Sequence, residues 1–372
     1  MNASYPIPRA NRVDARAHVL SPIDSNPSNS SNIFLMTDSF QTGGSERQFA
    51  GLARALRASG CQLTVGSLQL SGSLPTDLGP IQHFDLGGSL YGLQSIRTRY
   101  RLASDLRRSR IAIAHSFDYY TNLTLIPAAR FVGTPVVIGS QRQLGDLLTG
   151  AQNRAQLAMF RWSDCVICNS HAAAKRLVHQ GLPPDKIAVI WNGLPASAFA
   201  RATPIVPPRA GSCRVGMIAR MNAHSKNHAF LLQVAARLRA RVQTFELVLV
   251  GDGPLRKQLE SRAEQLGIRN FVQFLGNRED VPAVLASLDV TVLPSSSESL
   301  SNAILESMAA GVVVIASDVG GNAELVGEGR GILVPPGDES AFENALETMI
   351  GDTPFRERVG INAAKFAKEN FT

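Results

Sequence analysis

The chain has 372 residues, 44% of them hydrophobic and 18% charged, which excludes a disordered polymer and leaves enough apolar material for two cores. Lysine and arginine exceed the acids by seven and the pI is about 9.5, so anionic partners are favoured: nucleotides, anionic lipid headgroups or nucleic acid. Nucleic acid rests on the charge alone, with no stacking aromatics arranged on a basic sheet face, and is set aside.

Residues 1–32 are rich in Ser, Asn and Pro, lack periodicity and read as a disordered leader; nothing there has the apolar centre of a signal peptide, and no run in the chain is long enough to span a membrane. Order begins with a strand at Ile33 to Met36. Gly43 and Gly44 fall where it turns into a helix that keeps Phe49, Leu52, Ala53 and Leu56 on one face and ends at Gly60. The two glycines serve either the tight turn alone or the close approach of an amide to a phosphate. CQLTVGSL and QHFDLG read as the next strands. A helix carrying Arg97, Arg99, Arg101, Arg107, Arg108 and Arg110 follows, either a solvated face or a patch for an anionic membrane surface. Ile111 to Ser116 is a fourth strand with His115 at its carboxyl end, where open α/β sheets present ligand groups. TPVVIGSQR, CVICNS and KIAVIWNG add three more, separated by helical patterns, and strands alternating with helices imply a parallel sheet.

The four cysteines, Cys61, Cys165, Cys168 and Cys213, suggest no disulfide framework. The C-x-x-C pair has no second pair to complete a zinc site and sits in a buried-strand pattern, which fits a reducing cytoplasmic setting.

Proline-rich residues after Trp191 lack periodicity, with a linker placed at 201–209 between domains at 33–200 and 210–372. The second half repeats the βα pattern. Its first strand, CRVGMIARM, leads through a loop with Arg220 and Lys226 into a helix that turns Phe230, Leu231, Val234, Ala235 and Leu238 inward. Two cations beside a helix start make a diphosphate clamp, Arg as a fork and Lys as a point charge. In TVLPSSSESLSNAILESMAAGVVVIAS, a strand ends at Pro294, a serine-rich loop carries Glu298, and Ser301 caps a helix over Asn302 to Ala310 that contains Glu306. Gly311 ends that helix and Val312 to Ala316 is the next strand. A crossover of this kind sets unpaired helix N–H groups at the carboxyl edge of a sheet, a place for a phosphate.

These motifs together resemble the retaining glycosyltransferases of family 4, with the GT-B fold: two Rossmann-like βαβ domains facing across a cleft. GGSERQ, IAHS, ICNS, VIWNG, VGMIARM with KNH, LVGDGP, the glutamates Glu298 and Glu306 with seven residues between them, and the GG-x-x-E turn at Gly320 to Glu324 carry the likeness, over about residues 33 to 370.

The resemblance implies transfer of a sugar from a nucleotide-diphosphate donor, UDP- or GDP-linked, to a hydroxyl acceptor with retention, without metal or cofactor. Glu306 would take the ribose hydroxyls, Glu298 a donor-sugar hydroxyl, and Arg220 and Lys226 the diphosphate. Amides near Leu300, Ser301 and Asn302, with those of Gly43 and Gly44, would complete the cradle, and His115 would stand near the reacting carbon. The acceptor would be a sugar or lipid-linked sugar of cell-surface polysaccharide or glycolipid synthesis, reached from the cytoplasm or peripherally at the inner face of the membrane. Three departures stand out: Phe117 where many members have a second histidine, six positions rather than five from Arg220 to Lys226, and an end at AKENFT, about where relatives begin a last helix. A GT-B sugar-nucleotide epimerase and a catalytically silent sugar- or nucleotide-binding protein are the alternatives.

Overall fold

The computed structural model describes residues 32–41, 43–72, 76–206 and 211–372. All of the expected leader except Asn32, and 207–209 of the expected linker, lie outside the described residues. In the first half, short β-branched and apolar runs alternate with helices: β1 (Asn32–Thr37), α1 (Gly44–Ala58), β2 (Gln62–Ser67), β3 (Ile81–His83), α2 (Leu93–Arg108), β4 (Ile113–Ser116), α3 (Tyr119–Phe131), β5 (Val136–Gln141), α4 (Gly150–Trp162), β6 (Cys165–Cys168), α5 (His171–His179) and β7 (Ile187–Val189). The second half does the same with β8 (Cys213–Ile218), α6 (His228–Arg239), β9 (Phe245–Val250), α7 (Arg256–Gln265), β10 (Val272–Gly276), α8 (Val281–Leu285), β11 (Val290–Leu293), α9 (Asn302–Ala309), β12 (Val313–Ser317), α10 (Asn322–Val326) and β13 (Ile332–Val334). Two closing helices follow, α11 (Glu339–Gly351) and α12 (Thr353–Asn370).

Every strand pairing is parallel, as helix crossovers require. The seven-stranded sheet runs β3-β2-β1-β4-β5-β6-β7 and the six-stranded sheet β10-β9-β8-β11-β12-β13. In each, the chain builds outward from the first strand, then returns to its other side. The reversals fall between β1 and β4 and between β8 and β11, and each opens a crevice at the strand carboxyl ends. Both crevices hold the charged residues of interest. Beneath them, each sheet is sealed by buried side chains such as Phe34, Leu106 and Val137 in the first half and Met217, Leu231 and Ile315 in the second.

Local chemistry moves a few boundaries. β4 starts at Ile113 rather than Ile111, because Ile111 N–H still closes the turn onto Leu106 and Ala112 N–H reaches Asn32. The helix expected to Ala310 ends at Ala309, where the N–H groups of Gly311 and Val312 fold back onto Met308 and Ser307; the following strand is delayed to Val313. Phe230 is only partly buried, and Leu232 takes the inner position beside it. Cys165 and Cys168 both lie on β6, and burial pushes the Cys168 thiol up to about 12. α12 packs on α9 and β12, and Phe371 at its end accepts the Leu194 N–H at 2.7 Å and packs on Trp191, tying the chain end to the segment after β7.

Candidate active site

The second sheet supplies a site around the start of α9. Ser301 caps the helix by accepting the Ile304 N–H, and Leu300 and Ser301 are buried at its mouth. Glu298 is held in the preceding loop: its Oε1 accepts from Lys226 Nζ at 2.5 Å and from Ser295 Oγ at 2.8 Å. Lys226 is brought there by Asn227, whose left-handed backbone (φ 55°) ends the short 3₁₀ turn and whose side-chain amide bonds the Pro294 carbonyl at 2.9 Å. The extra residue between Arg220 and Lys226 is thus absorbed in a turn that still delivers the ammonium to Glu298.

The loop carrying Glu298 lies on the Gly320–Gly321 turn at van der Waals distance or less. A Cβ at Gly320 would stand 1.7 Å from the Glu298 carbonyl oxygen and one at Gly321 2.0 Å from that of Ser299, so both positions require glycine. Glu324, one turn later, reaches across to the first sheet. It accepts from the N–H groups of His171 and Ala172, at the start of α5, and from Trp191 Nε1 at 2.9 Å. A carboxylate on the amino end of a helix meets both unpaired donors and the positive end of the dipole. Ser299 Oγ also donates to Asn169 Oδ1 at 2.5 Å, and Ser297 Oγ to Asp146 at 2.8 Å. These bonds tie the two halves together.

Gly43 and Gly44 meet the donor side as well. A Cβ on Gly44 would lie 2.3 Å from Asn302 Nδ2, and one on Gly43 3.2 Å from Arg220 Cζ. The backbone at this pair thus lies close against side chains of the second half. Asn302 Oδ1 accepts from Asn192 Nδ2 at 2.8 Å. Arg47, on the first turn of α1, makes a 2.6 Å ion pair with Glu306 Oε1, while Glu306 Oε2 is buried without a hydrogen-bond partner among the described residues. Burial raises the Glu306 pKa and Arg47 opposes the rise. A buried acceptor of this kind is costly to leave unpaired. Glu46 stands near Arg220, and burial raises its pKa. The residues singled out in the second half therefore converge, with Gly43 and Gly44 against them.

His115 does not join them. It is 6% exposed, its Nε2 is 2.8 Å from Ser140 Oγ, and burial, with Arg142 adding to it, pushes its pKa down to about 3. Phe117, which replaces the second histidine, is buried beneath the Arg142 guanidinium, 4.5 Å from ring centre to Cζ. The groups that line the first crevice are others: Asp38 after β1, Asp118 after β4 and Arg142 after β5. Asp118 Oδ2 accepts from Thr37 Oγ1 at 2.8 Å and from the Asp38 N–H, while Asp38 Oδ1 and Arg142 Nε are buried without partners among the described residues. Burial pushes Asp38 up to about 8, with Asp118 and Glu46 adding to the rise; Asp118 is raised mainly by burial too. Arg142 donates to Asn192 Oδ1 at 2.7 Å, and Asn192 leads to Asn302, so the two crevices share one hydrogen-bonded path.

Arg47, Asp38, Asp118 and Arg142 were not singled out from sequence. Arg47 sits in GGSERQ, but only the fold shows that it faces Glu306. Asp118 carried a visible helix-start signal, with Thr121 three residues on, that accounts for its place without announcing the crevice. No group of three or more His, Cys, Asp or Glu is placed to hold a metal ion among the described residues.

Two parallel sheets with facing crevices, the second carrying a capped helix start flanked by two carboxylates and two cations, define a GT-B protein. The chain belongs to the family 4 glycosyltransferases: residues 42–197 match the model described as Glycosyltransferase Family 4, and residues 212–352 that described as Glycosyl transferases group 1. Among curated relatives it is 31% identical over 257 residues to the putative glycosyltransferase EpsF of Bacillus subtilis, covering 63% of this chain and 66% of that one. It is also 31% identical over 218 residues to LpsE, a lipopolysaccharide core biosynthesis glycosyltransferase of Rhizobium meliloti, covering 58% and 61%. The matched stretches thus span slightly less than two thirds of those relatives' lengths. HepE of Anabaena, solved with UDP and glucose, superposes with a TM-score of 0.80 at 22% identity over 91% of this chain and 95% of that one, a likeness of fold.

Proposed function

We propose that the protein transfers a sugar from a nucleotide-diphosphate donor to a hydroxyl acceptor with retention at the anomeric carbon. The observation that carries this reading is Glu306: its Oε2 is buried without a hydrogen-bond partner among the described residues, inside a helix whose amino end faces the first half. A vicinal diol supplies two O–H donors at the spacing a carboxylate accepts, and such charged bonds are the stronger kind. With ribose at Glu306, the diphosphate reaches toward Arg220, Lys226 and the amides at Leu300 to Asn302, and the sugar toward Glu298. Fixed cations there stabilise charge as it builds on the leaving diphosphate. In this reading, the cations and amides neutralise the diphosphate without a metal ion.

The Glu298–Lys226 pair already has the arrangement such a site needs, since each partner holds the other in place before substrate arrives. Arg47 is the group that must yield, because it occupies one oxygen of Glu306. The acceptor is assigned to the first crevice, beside Asp38, Asp118 and Arg142. It is a sugar or a lipid-linked sugar in polysaccharide or glycolipid synthesis, in keeping with LpsE, a lipopolysaccharide core biosynthesis glycosyltransferase, and reaching it calls for peripheral contact with the inner face of the membrane through α2. The test is nucleotide release: free nucleotide diphosphate that forms only when an acceptor is added supports transfer, and still forms with EDTA present. Release that ignores the acceptor contradicts it, as does conversion of the donor sugar to its epimer.

A further inference from the structure

Two motif residues are left without a function by the donor reading: Gln48, at the end of GGSERQ, and Asn192, in VIWNG. Both meet the side chain of Asn302, the first residue of α9. Asn192 stands three residues beyond β7, is 4% exposed, and has both ends of its amide engaged. Its Oδ1 accepts from Arg142 Nη2 at 2.7 Å, and its Nδ2 donates to Asn302 Oδ1 at 2.8 Å. Gln48, on α1, closes on the backbone of Gly193, donating to the carbonyl at 2.8 Å and accepting the N–H at 3.2 Å. Its Nε2 also lies 3.5 Å from Asn302 Oδ1.

The polarity of this chain is set from its ends. A primary amide can be turned over, exchanging its oxygen and its NH2, with almost no change of shape, so its orientation follows its partners. A guanidinium only donates. Arg142 therefore keeps the Asn192 oxygen toward itself, Asn192 presents its NH2 to Asn302, and Asn302 turns its oxygen to Asn192. Gln48 gives the same answer independently: the Gly193 carbonyl requires its NH2 and the Gly193 N–H its oxygen, which leaves the NH2 beside Asn302 Oδ1. What remains on the other side of Asn302 is Nδ2, which has no acceptor among the described residues and lies 2.3 Å from where a Cβ on Gly44 would stand. The cap of α9 is made by Ser301, so the Asn302 side chain is not spent on the helix.

We infer that Arg142, Asn192 and Gln48 are positioning residues that hold the Asn302 side-chain amide with its N–H groups toward the diphosphate of the donor, between the start of α9 and Gly44. The inference rests on the donor reading above, and adds to it a neutral donor whose direction other residues decide. Turned over, the same amide would set a carbonyl oxygen against phosphate oxygens, and nothing in its own shape prevents that. Arg142 lies over the Phe117 ring in the first crevice, so a cation on one side of the cleft sets the direction of a donor on the other.

The experiment is calorimetric titration of the full chain with UDP, GDP and ADP, each paired with its nucleoside, which can reach Glu306 but carries no diphosphate. For whichever diphosphate binds, Asn302→Ala should weaken it about tenfold or more, the loss of a hydrogen bond to a charged group, with the nucleoside changed by less than about twofold. Asn192→Leu frees the Asn302 amide to turn and should weaken the diphosphate about three- to tenfold, again sparing the nucleoside. The double variant should bind as Asn302→Ala alone does, because Asn192 acts through Asn302. That comparison needs only the diphosphate, and melting temperatures show that each variant is folded. Should the substitution at the buried Asn192 prevent folding, Asn302→Ala and Gln48→Ala decide. Unchanged diphosphate affinity in Asn302→Ala, equal losses for nucleoside and diphosphate, or additive losses in the double variant would overturn the inference. A wild type that binds while its variants match it sinks the amide chain and leaves the donor reading standing. A wild type that binds none of these compounds sinks the donor reading and this inference with it.

Discussion

The two crevices are built at equivalent places, each at a strand-order reversal, yet they are chemically unlike. The second pairs cations with carboxylates, Lys226 with Glu298 and Arg47 with Glu306, and the loop that carries Glu298 lies on a turn that requires glycine. The first holds groups that burial drives toward their uncharged forms, His115 down to about 3 and Asp38 up to about 8, around Arg142, which burial lowers to about 10 and which keeps its charge at neutral pH. A site for a fixed, doubly charged leaving group demands fixed counter-charge. In the proposed reading the hydroxyl acceptor meets the first crevice, where Asp38 Oδ1 is buried without a hydrogen-bond partner among the described residues.

That contrast can be broken most severely at Lys226. Lys226→Ala should lower transfer by about a hundred- to a thousandfold, the loss seen when one preorganised charge donor is removed, and it leaves Glu298 without its cation. Wild-type turnover would show that charge on the second side is not what drives the reaction. Glu324→Ala removes three bonds that hold the halves together and should cost about ten- to a hundredfold in kcat/KM while nucleotide affinity changes less, since Glu324 contacts α5 and Trp191 rather than the site of the donor.

His115 sharpens the other side. His115→Ala opens a cavity and strands Ser140, so it should lower stability by about 2–4 kcal/mol while transfer well below the melting temperature persists. A lost rate with an unchanged melting temperature would put the imidazole at the reacting carbon, as the family resemblance implied. The smallest effect concerns pH. Asp38 binds its proton more tightly folded than unfolded, so the unfolded state has fewer protons between about pH 4 and 8, and stability should fall as pH rises through that window and level off above it. Asp118 and Glu46, the neighbours that oppose its ionisation, remain in Asp38→Asn, which should flatten that slope in thermal melts at a series of pH values.

How far the sequence reveals this arrangement follows the range of the interactions. Glu298, Ser301, Glu306 and the Gly320–Gly321 turn lie within one βαβ unit, where spacing alone fixes which end of the helix meets the loop, and they were legible. Lys226 was legible through Asn227 and His228 despite the altered spacing. Arg47 opposite Glu306 joins residues from different halves, and Asp38 beside Asp118 depends on β1 lying next to β4, a pairing that topology decides. His115 is the converse case: its place at a strand end was legible, but its burial is set by what packs against it, here Phe117 and Ser140, which sequence spacing does not show.

The central claim is that the second crevice binds a nucleotide diphosphate through Glu306. Calorimetric titration of UDP, GDP and ADP into the wild-type chain and into Glu306→Ala tests it. The account predicts that at least one of them binds the wild type and is weakened about ten- to a hundredfold by the substitution, the loss of charged hydrogen bonds to a diol. Equal affinity for both proteins, or no binding by any of the three, would contradict it.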